Sequence, residues 1–202
     1  MNERYGLREG QQVAAVILAG GLARRMDGQD KGLILLADQP MISYAINTLK
    51  PLVDSLIVNA NRNREAYEDM GLPVIADSRE GHLGPLSGLS SAIAALDSDY
   101  VFMCPCDSPF MESALFVDLI TACVQADADI AVPHDGERLQ PVFCVIHRRV
   151  EGSLNAFLDA GERKIDRWFE QHSVTTVKAA QYAESFRNIN TEQERLAAET
   201  GI

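Results

Sequence analysis

The stretch Val13-Ala-Ala-Val-Ile-Leu18, followed by Ala19-Gly20-Gly21, decides the fold of this chain. A short, continuous apolar run bounded by glycines is typical of a strand buried on both faces, as in parallel sheets covered by helices. Consecutive glycines after such a strand let the backbone approach a ligand closely and direct N–H groups at an anion. The stretch therefore predicts a central strand followed by an anion-binding loop.

Outward from this strand, short apolar runs alternate with helical patterns along the chain. Strands are predicted at 55–59, 73–76, 100–104, 129–132, 139–146 and 174–178, with Asp135-Gly136 as a hairpin turn. Helices are predicted at 40–52, 62–70, 84–96, 111–125, 151–160 and from 191 onward. The alternation predicts an α/β fold: a Rossmann-like, doubly wound, mostly parallel sheet with helices on both faces and a small antiparallel element.

Composition and charge narrow the functional classes. The 202 residues, 47% of them hydrophobic, suffice for a single domain over 1–202 with one substantial core. The net charge, 18 − 29 = −11, argues against general nucleic-acid binding, which depends on clustered Lys and Arg. No apolar stretch approaches the roughly 18–20 residues that span a bilayer, so we expect no membrane partner. Four cysteines make no disulfide scaffold, which favours a cytoplasmic protein.

Polar residues follow several of the predicted strands. They are Asn59, Asp77 and Asp107, together with the loop Ala19-Gly20-Gly21. Right-handed crossovers bring the carboxyl ends of parallel strands to one edge of the sheet, where ligands bind in such folds. We therefore expect these residues to line one site.

The glycine loop is rich in cations for so acidic a chain, because Arg24, Arg25 and Lys31 follow it closely. Its glycine spacing matches neither the Walker nor the Rossmann pattern. Asp107 is suited to hold Mg²⁺ beside a triphosphate, or alternatively to cap the helix expected near residue 111. Asp77 fits either a base or ribose contact or the cap of a turn.

Other motifs carry weaker indications. Gly84-Pro-Leu-Ser-Gly88 suits close approach of a ligand to backbone but also suits a plain turn. The pair Cys104 and Cys106 lacks a second close pair, so buried strand positions explain it better than zinc does. The segments Gly161-Glu-Arg-Lys164 and Asn188-Ile-Asn-Thr191 could receive a second anionic substrate, or be a solvated charge cluster and a helix cap. No histidine has metal-ligand spacing or a nearby nucleophile.

Taken in order, eight motifs resemble those of the molybdenum cofactor guanylyltransferase family, over about residues 13 to 196. They are Leu-Ala-Gly-Gly…Arg-Arg-Met…Asp-Lys-Gly (18–32), Val-Asn-Ala-Asn-Arg (58–62), Asp77-Ser, Gly-Pro-Leu-Ser-Gly (84–88), Cys-Pro-Cys-Asp-Ser-Pro (104–109), His-Asp-Gly-Glu-Arg (134–138), Gly-Glu-Arg-Lys (161–164) and Asn-Ile-Asn-Thr (188–191). The first motif alone marks the wider nucleotidyltransferase superfamily, and the combined set is more specific. The resemblance implies a nucleotide-diphospho-sugar transferase type of fold.

The resemblance also implies roles for matching residues. It implies GTP contacts from Leu18, Ala19, Gly20, Gly21, Lys31, Asn59, Asp77 and Asp107, and Mg²⁺ on Asp107. Catalytic roles fall to Lys31, Arg25 and Asp107. Gly28 resembles a further loop position, and acceptor-side positions are Gly84, Gly88, Arg163, Asn188 and Asn190. Two residues depart from the pattern: Asp27 replaces a glycine of the loop, and Glu192 replaces a proline after Asn-Ile-Asn-Thr.

The expected reaction is transfer of GMP from GTP to the terminal phosphate of molybdopterin, giving the guanine dinucleotide cofactor and pyrophosphate. Residues of about 13–110 would bind the nucleotide and those of about 128–196 the acceptor. Alternatives are a cytidylyltransferase for the same cofactor, a sugar-1-phosphate nucleotidyltransferase, or a non-catalytic GTP-binding chaperone of the cofactor. Molybdoenzymes or their chaperones are expected partners for handover of the cofactor.

Overall fold

The computed structural model describes residues 5–19, 29–81 and 84–199. Its main sheet contains β1 (Val13–Leu18), β4 (Ser55–Asn59), β5 (Val74–Ile75), β6 (Tyr100–Pro105), β7 (Ile130–His134), β8 (Cys144–His147) and β9 (Val174–Lys178). The strand order is β5-β4-β1-β6-β8-β7-β9. Within this sheet β8 alone runs opposite to its neighbours β6 and β7, whereas the pairs β1–β4, β1–β6, β4–β5 and β7–β9 are parallel.

A second, two-stranded antiparallel sheet joins β2 (Leu35–Leu36) to β3 (Gln39–Pro40). The helices are α1 (Met41–Leu49), α2 (Arg64–Glu68), α3 (Pro85–Ala95), α4 (Ser113–Gln125), α5 (Glu151–Asp159), α6 (Ile165–Phe169) and α7 (Glu192–Glu199). Short 3-10 turns occupy Lys31–Leu33, Arg148–Val150 and Ala180–Phe186. The predicted class, a mostly parallel sheet with a small antiparallel element, is confirmed.

Alternation along the central strands builds a core on each face of the sheet. In β1, Val13, Ala15 and Ile17 pack into one cluster with α1 and α4. Ala14 and Val16 pack into a second cluster on the opposite face, with α3, α5 and the buried Trp168 and Phe169 of α6. Because successive side chains of a strand point to opposite faces, a run with no polar residue is what a strand covered on both sides requires.

A third, smaller cluster joins the end of the chain to its beginning. Ile189 and Ala198, before and within α7, pack with Ile34, Leu36 and Met41. The side chain of Arg195 adds hydrogen bonds to the backbone oxygen of Leu35 and to carboxylates of its own helix. The C-terminal helix is thereby fixed beside the segment that contains Lys31.

Several predicted boundaries were wrong. Pro40 lies in β3 and precedes α1 instead of starting it, and α2 covers only Arg64–Glu68 of the predicted 62–70. The expected hairpin turn forms at Asp135, with His134 bridged to Leu139, but the strand itself starts at Cys144 and not at 139. Helix α6 was not predicted. None of the helices in the described residues is long and apolar enough to cross a membrane.

Candidate active site

The carboxyl end of β1 lies at the centre of the edge where the parallel strands end. The backbone N–H of Ala19 donates to the carbonyl of Asn59 at 2.8 Å, and the N–H of Cys106 donates to the carbonyl of Leu18 at 3.0 Å. These bonds place the end of β4 on one side of Leu18 and the end of β6, with Asp107, on the other. The sheet therefore brings together the strand ends that the sequence singled out.

On the β6 side, three predicted side chains meet. The ammonium Nζ of Lys31 lies 2.7 Å from Oδ2 of Asp107 and also donates to Oδ1 of Asn190. The side chains of Lys31 and Asp107 are only 20% and 10% exposed. Because an ion pair shielded from water is screened less than a surface pair, this contact holds the lysine firmly at the strand end. Asp107 is not a helix cap, since the residue that precedes α4 is Glu112.

The segment before α7 reaches this pair from the far end of the chain. The N–H of Ile189 donates to the carbonyl of Asp107 at 3.0 Å, and the hydroxyl of Ser108 donates to Oδ1 of Asn188 at 2.7 Å. Both predicted asparagines are thus brought to the Asp107 turn.

A capping box fixes the start of α7. Thr191 Oγ1 accepts from the N–H of Glu194 at 3.2 Å, and the Glu194 carboxylate accepts from the N–H groups of Asn190 and Thr191. The hydrogen bond from the Asn190 backbone is the main cause that lowers the pKa of Glu194. Glu192, at the position where the resemblance implied a proline, begins the helix and pairs with Arg195.

On the β4 side, Asn59 and Asp77 form a second pair. Nδ2 of Asn59 donates to Oδ1 of Asp77 at 3.0 Å, and the N–H of Asp77 donates to Oδ1 of Asn61 at 2.8 Å. The next residue, Ser78, donates its N–H to the hydroxyl of Ser91 on α3. Asp77 is therefore held by side chains at and just after the end of β4, and its neighbour Ser78 by a side chain of α3.

The remaining acceptor-side residues are spread more widely. Gly84 precedes α3 with a φ of +76°, and a Cβ there would meet no described atom within 4 Å. A Cβ on Gly88 would lie 2.4 Å from Oδ1 of Asn59, so this glycine packs against a residue expected to bind the nucleotide. The guanidinium of Arg163 donates to the carbonyl of Leu158 at the end of α5, 2.7 Å away. No described contact joins Arg163 to Asn188 or Asn190.

Some expected residues lie outside the described ranges. These are Gly20, Gly21, Arg24, Arg25, Asp27 and Gly28. The sequence, in turn, missed a hydrogen-bonded group behind Lys31, in which the buried Asp30 accepts from the buried Tyr67 and from the exposed Asn63. Asp30 was visible only as the residue before the lysine of the first motif, and nothing in the local pattern pointed to its distant partners.

The four cysteines belong to the hydrophobic core. All four are free and buried, as predicted, and burial raises the pKa of the Cys104 and Cys106 thiols. The described part of the chain has no group of three His, Cys, Asp or Glu able to hold a metal ion by itself. Among the described residues, the carboxylate paired with Lys31 is that of Asp107.

Sequence comparison decides the family. The MobA-like NTP transferase domain matches residues 15–176. The chain is similar to the molybdenum cofactor guanylyltransferase of Shewanella loihica, with 45% identity over 91% of this chain and 94% of that one. Identity to the enzyme of the same description from Shewanella frigidimarina is 46%, over 95% and 97% of the two chains.

The chain belongs to the molybdenum cofactor guanylyltransferase family. It is therefore a nucleotidyltransferase of the molybdenum cofactor biosynthesis class. Its fold is also that of the molybdopterin-guanine dinucleotide biosynthesis protein A from Archaeoglobus fulgidus, with a TM-score of 0.78 and 21% identity over 93% of this chain and 97% of that one. The two residue pairs at the strand ends, Lys31 with Asp107 and Asn59 with Asp77, are the candidate active site of this enzyme.

Proposed function

We propose that this guanylyltransferase moves GMP from GTP to the terminal phosphate of molybdopterin, releasing pyrophosphate. The observation that carries the proposal is the contact of Lys31 with both Asp107 and Asn190 at the end of β6. It combines a cation for phosphate with a carboxylate for a metal ion, and family membership supplies the reaction class.

The nucleotide would lie along the ends of β4, β1 and β6, against residues from the part of the chain at about 13–110. Leu18, Ala19, Asn59 and Asp77 line this stretch in the described structure, and Gly20 and Gly21 follow β1 in sequence. Oδ1 of Asp77 already accepts from Asn59, so its other oxygen could accept from the N–H groups of guanine. An ionised carboxylate can only accept hydrogen bonds, so Asp77 favours guanine, whose N–H groups can donate to it.

A divalent cation fits the residues present. Mg²⁺ is commonly held by one or two carboxylates together with the phosphates of its substrate, and Asp107 is such a carboxylate. When bound, Mg²⁺ would neutralise charge on the triphosphate. The absence of a three-ligand cluster in the described residues is compatible with this mode of binding.

Lys31 would act on the transferred group. An oxygen of the acceptor phosphate attacks the α-phosphorus of GTP, a P–O bond forms, and the bond to the β-phosphate breaks as pyrophosphate leaves with its electron pair. Lys31, with Arg25 from the adjoining loop, would stabilise the negative charge that develops on these oxygens.

No general base is required in this scheme. A phosphate monoester has a second pKa of about 6 and is largely dianionic at pH 7. Two of the described histidines lie at the opposite edge: His147 packs on Tyr100 at the start of β6, and His172 lies beside Asp129 just before β7. A third, His134 at the end of β7, accepts a hydrogen bond from the N–H of Gly136 through its ring nitrogen Nδ1. Alignment and charge neutralisation are the contributions left to the protein.

The acceptor would enter from the part of the chain at about 128–196. Asn188 and Asn190 lie at the Asp107 turn, and Arg163 follows α5, whose Asp159 contacts Arg79 just beyond β5. We assign Gly84 to this acceptor side. For Gly88, the contact with Asn59 favours action on the nucleotide side instead. We place the enzyme in the cytoplasm, where molybdoenzymes or their chaperones would receive the product.

The test is a comparison of nucleotides. Pyrophosphate release is measured with GTP, CTP, ATP and UTP, each with and without molybdopterin and each with and without Mg²⁺. We expect release with GTP that depends on both molybdopterin and Mg²⁺. Preference for CTP would replace the proposal with a cytidylyltransferase, and binding of GTP without any release would favour a non-catalytic carrier.

A further inference from the structure

A buried carboxylate lies directly behind the proposed catalytic lysine. Asp30 is only 6% exposed, and its carboxylate accepts from three donors. The hydroxyl of Tyr67 donates at 2.6 Å, Nδ2 of Asn63 at 3.1 Å and the N–H of Gly32 at 3.3 Å. Burying a carboxylate is costly unless hydrogen bonds satisfy it, and these donors do so. They also bind the Lys31–Leu33 turn to the start of α2.

The same turn is packed tightly against both α2 and the end of β6. A Cβ on Gly32 would lie 2.6 Å from the hydroxyl of Tyr67 and 3.3 Å from Sγ of Cys106. Tyr67 is fully buried, and Cys106 is the residue before Asp107. The turn is therefore fixed between the element that anchors Asp30 and the strand end that presents the partner of Lys31.

We propose that Asp30 and Tyr67 are positioning residues that set the place of the Lys31 ammonium relative to Asp107. The proposal rests on the role given to Lys31 in the proposed function. Neither residue touches the reacting groups: the effect passes through the backbone of the turn. Since a displacement of about 1 Å in a catalytic group can cost about a hundredfold in rate, a rigid support behind a long, flexible lysine has a clear use.

The experiment is a double-mutant cycle between Tyr67 and Lys31. Tyr67→Phe removes one buried hydroxyl and leaves the ring, and Lys31→Ala removes the group to be positioned. Steady-state kcat and KM for GTP are measured by pyrophosphate release for the wild type, both single variants and the double variant. We expect Tyr67→Phe to lower kcat about tenfold, the loss of one strong hydrogen bond to a charged group, with a smaller effect on KM.

The double variant separates positioning from plain stability. If Tyr67 acts through Lys31, Tyr67→Phe lowers kcat less than twofold further once Lys31 is alanine, because contacting groups in one network are non-additive. Equal fold losses in the two backgrounds, or no loss in either, would overturn the proposal.

Two further variants serve as controls for a general loss of stability. Tyr5→Phe removes a comparable buried hydroxyl, which donates to the carbonyl of Leu52 at 2.9 Å near the opposite edge of the sheet, and should leave kcat unchanged. Asn63→Gly deletes the other side-chain donor to Asp30 while tolerating the φ of +51° at that position, and should lower kcat less than Tyr67→Phe does. A kcat loss in Tyr5→Phe as large as that in Tyr67→Phe would assign the effect to stability and overturn the proposal.

A binding measurement keeps the two proposals distinct. Affinity for GTP with Mg²⁺, without acceptor, is titrated by calorimetry across the same cycle. Absence of GMP transfer by the wild type would overturn the proposed function. The positioning proposal would then be decided by the cycle on GTP affinity, where additive losses refute it and non-additive losses support it.

Discussion

Substitution of Gly88 by alanine tests how the nucleotide side of the site is packed. A Cβ at this position would lie 2.4 Å from Oδ1 of Asn59 and 2.8 Å from Cδ2 of Leu18, whereas ordinary contacts begin near 3.4 Å. Asn59 is 5% exposed and bonded to Asp77, so it must move by about 1 Å (3.4 − 2.4) and lose that bond.

The balance of energies for Gly88→Ala is unfavourable. Replacing a helical glycine by alanine gains about 1 kcal/mol from helix propensity. Overpacking costs about 1–3 kcal/mol and a lost hydrogen bond about 1 kcal/mol more. The net loss of about 1–3 kcal/mol corresponds to a fall in Tm of about 2–12 °C for a chain of this size. KM for GTP should rise by about tenfold, since Asn59 and Asp77 no longer hold their arrangement.

Tm is measured by differential scanning calorimetry. KM is measured by pyrophosphate release at varied concentrations of GTP and of molybdopterin. Gly152→Ala is the control, because the same change on α5 meets no described atom within 4 Å. It should raise Tm by about 2–4 °C through helix propensity alone and leave KM near its wild-type value. If Gly88→Ala raised KM for molybdopterin and left GTP unaffected, the packing argument would fail and Gly88 would belong to the acceptor side, as the sequence indicated.

Three further predictions concern other parts of the molecule. Asp107→Asn should keep the fold by circular dichroism and lose Mg²⁺-dependent turnover; near-normal pyrophosphate release would remove Asp107 as the metal ligand. Arg163→Ala should raise KM for molybdopterin about ten- to a hundredfold and leave GTP affinity unchanged by titration, and the reverse pattern would move Arg163 to the nucleotide half. The pKa of Asp135 is lowered from 3.8 to about 2, chiefly by the N–H of Arg138, so this carboxylate stabilises the fold above about pH 4 and ceases to do so as the pH falls through 2. The difference in urea midpoint between wild type and Asp135→Asn should accordingly shrink from pH 5 to pH 2, and a constant difference would contradict that pKa.

Local pattern explains most of what the sequence predicted. The run at 13–18 gives β1 because no polar residue interrupts it, and Glu151–Asp159 forms α5 where an amphipathic pattern is clear. Helix α6 escaped prediction because it has only five residues and its reason for folding is burial of Trp168 and Phe169 against α3 and α5. The strand start at 139 was wrong because the turn at Asp135 uses Leu139 and Gln140 for its own hydrogen bonds.

The site was likewise predictable in part from the sequence. Strand ends and resemblance named Lys31, Asp107, Asn188 and Asn190, which the structure brings together at one place. The contact of Tyr67 with Asp30 was not predictable, because the two residues are 37 positions apart and buried aromatic residues usually serve packing alone. The neighbour of Gly88 likewise depends on how α3 lies across the sheet, which no local pattern encodes.

The contact between Lys31 and Asn190 joins positions 159 residues apart, and the contact between Lys31 and Asp107 joins positions 76 apart. The pairing of β1 with β6 already joins positions further apart than Lys31 and Asp107, whereas the contact of Lys31 with Asn190 closes a longer loop and so costs more chain entropy. We therefore expect the contact of Lys31 with Asn190 to form after the sheet during refolding. A chain that has only its native strands would then lack the contact on which we base the proposed phosphate site.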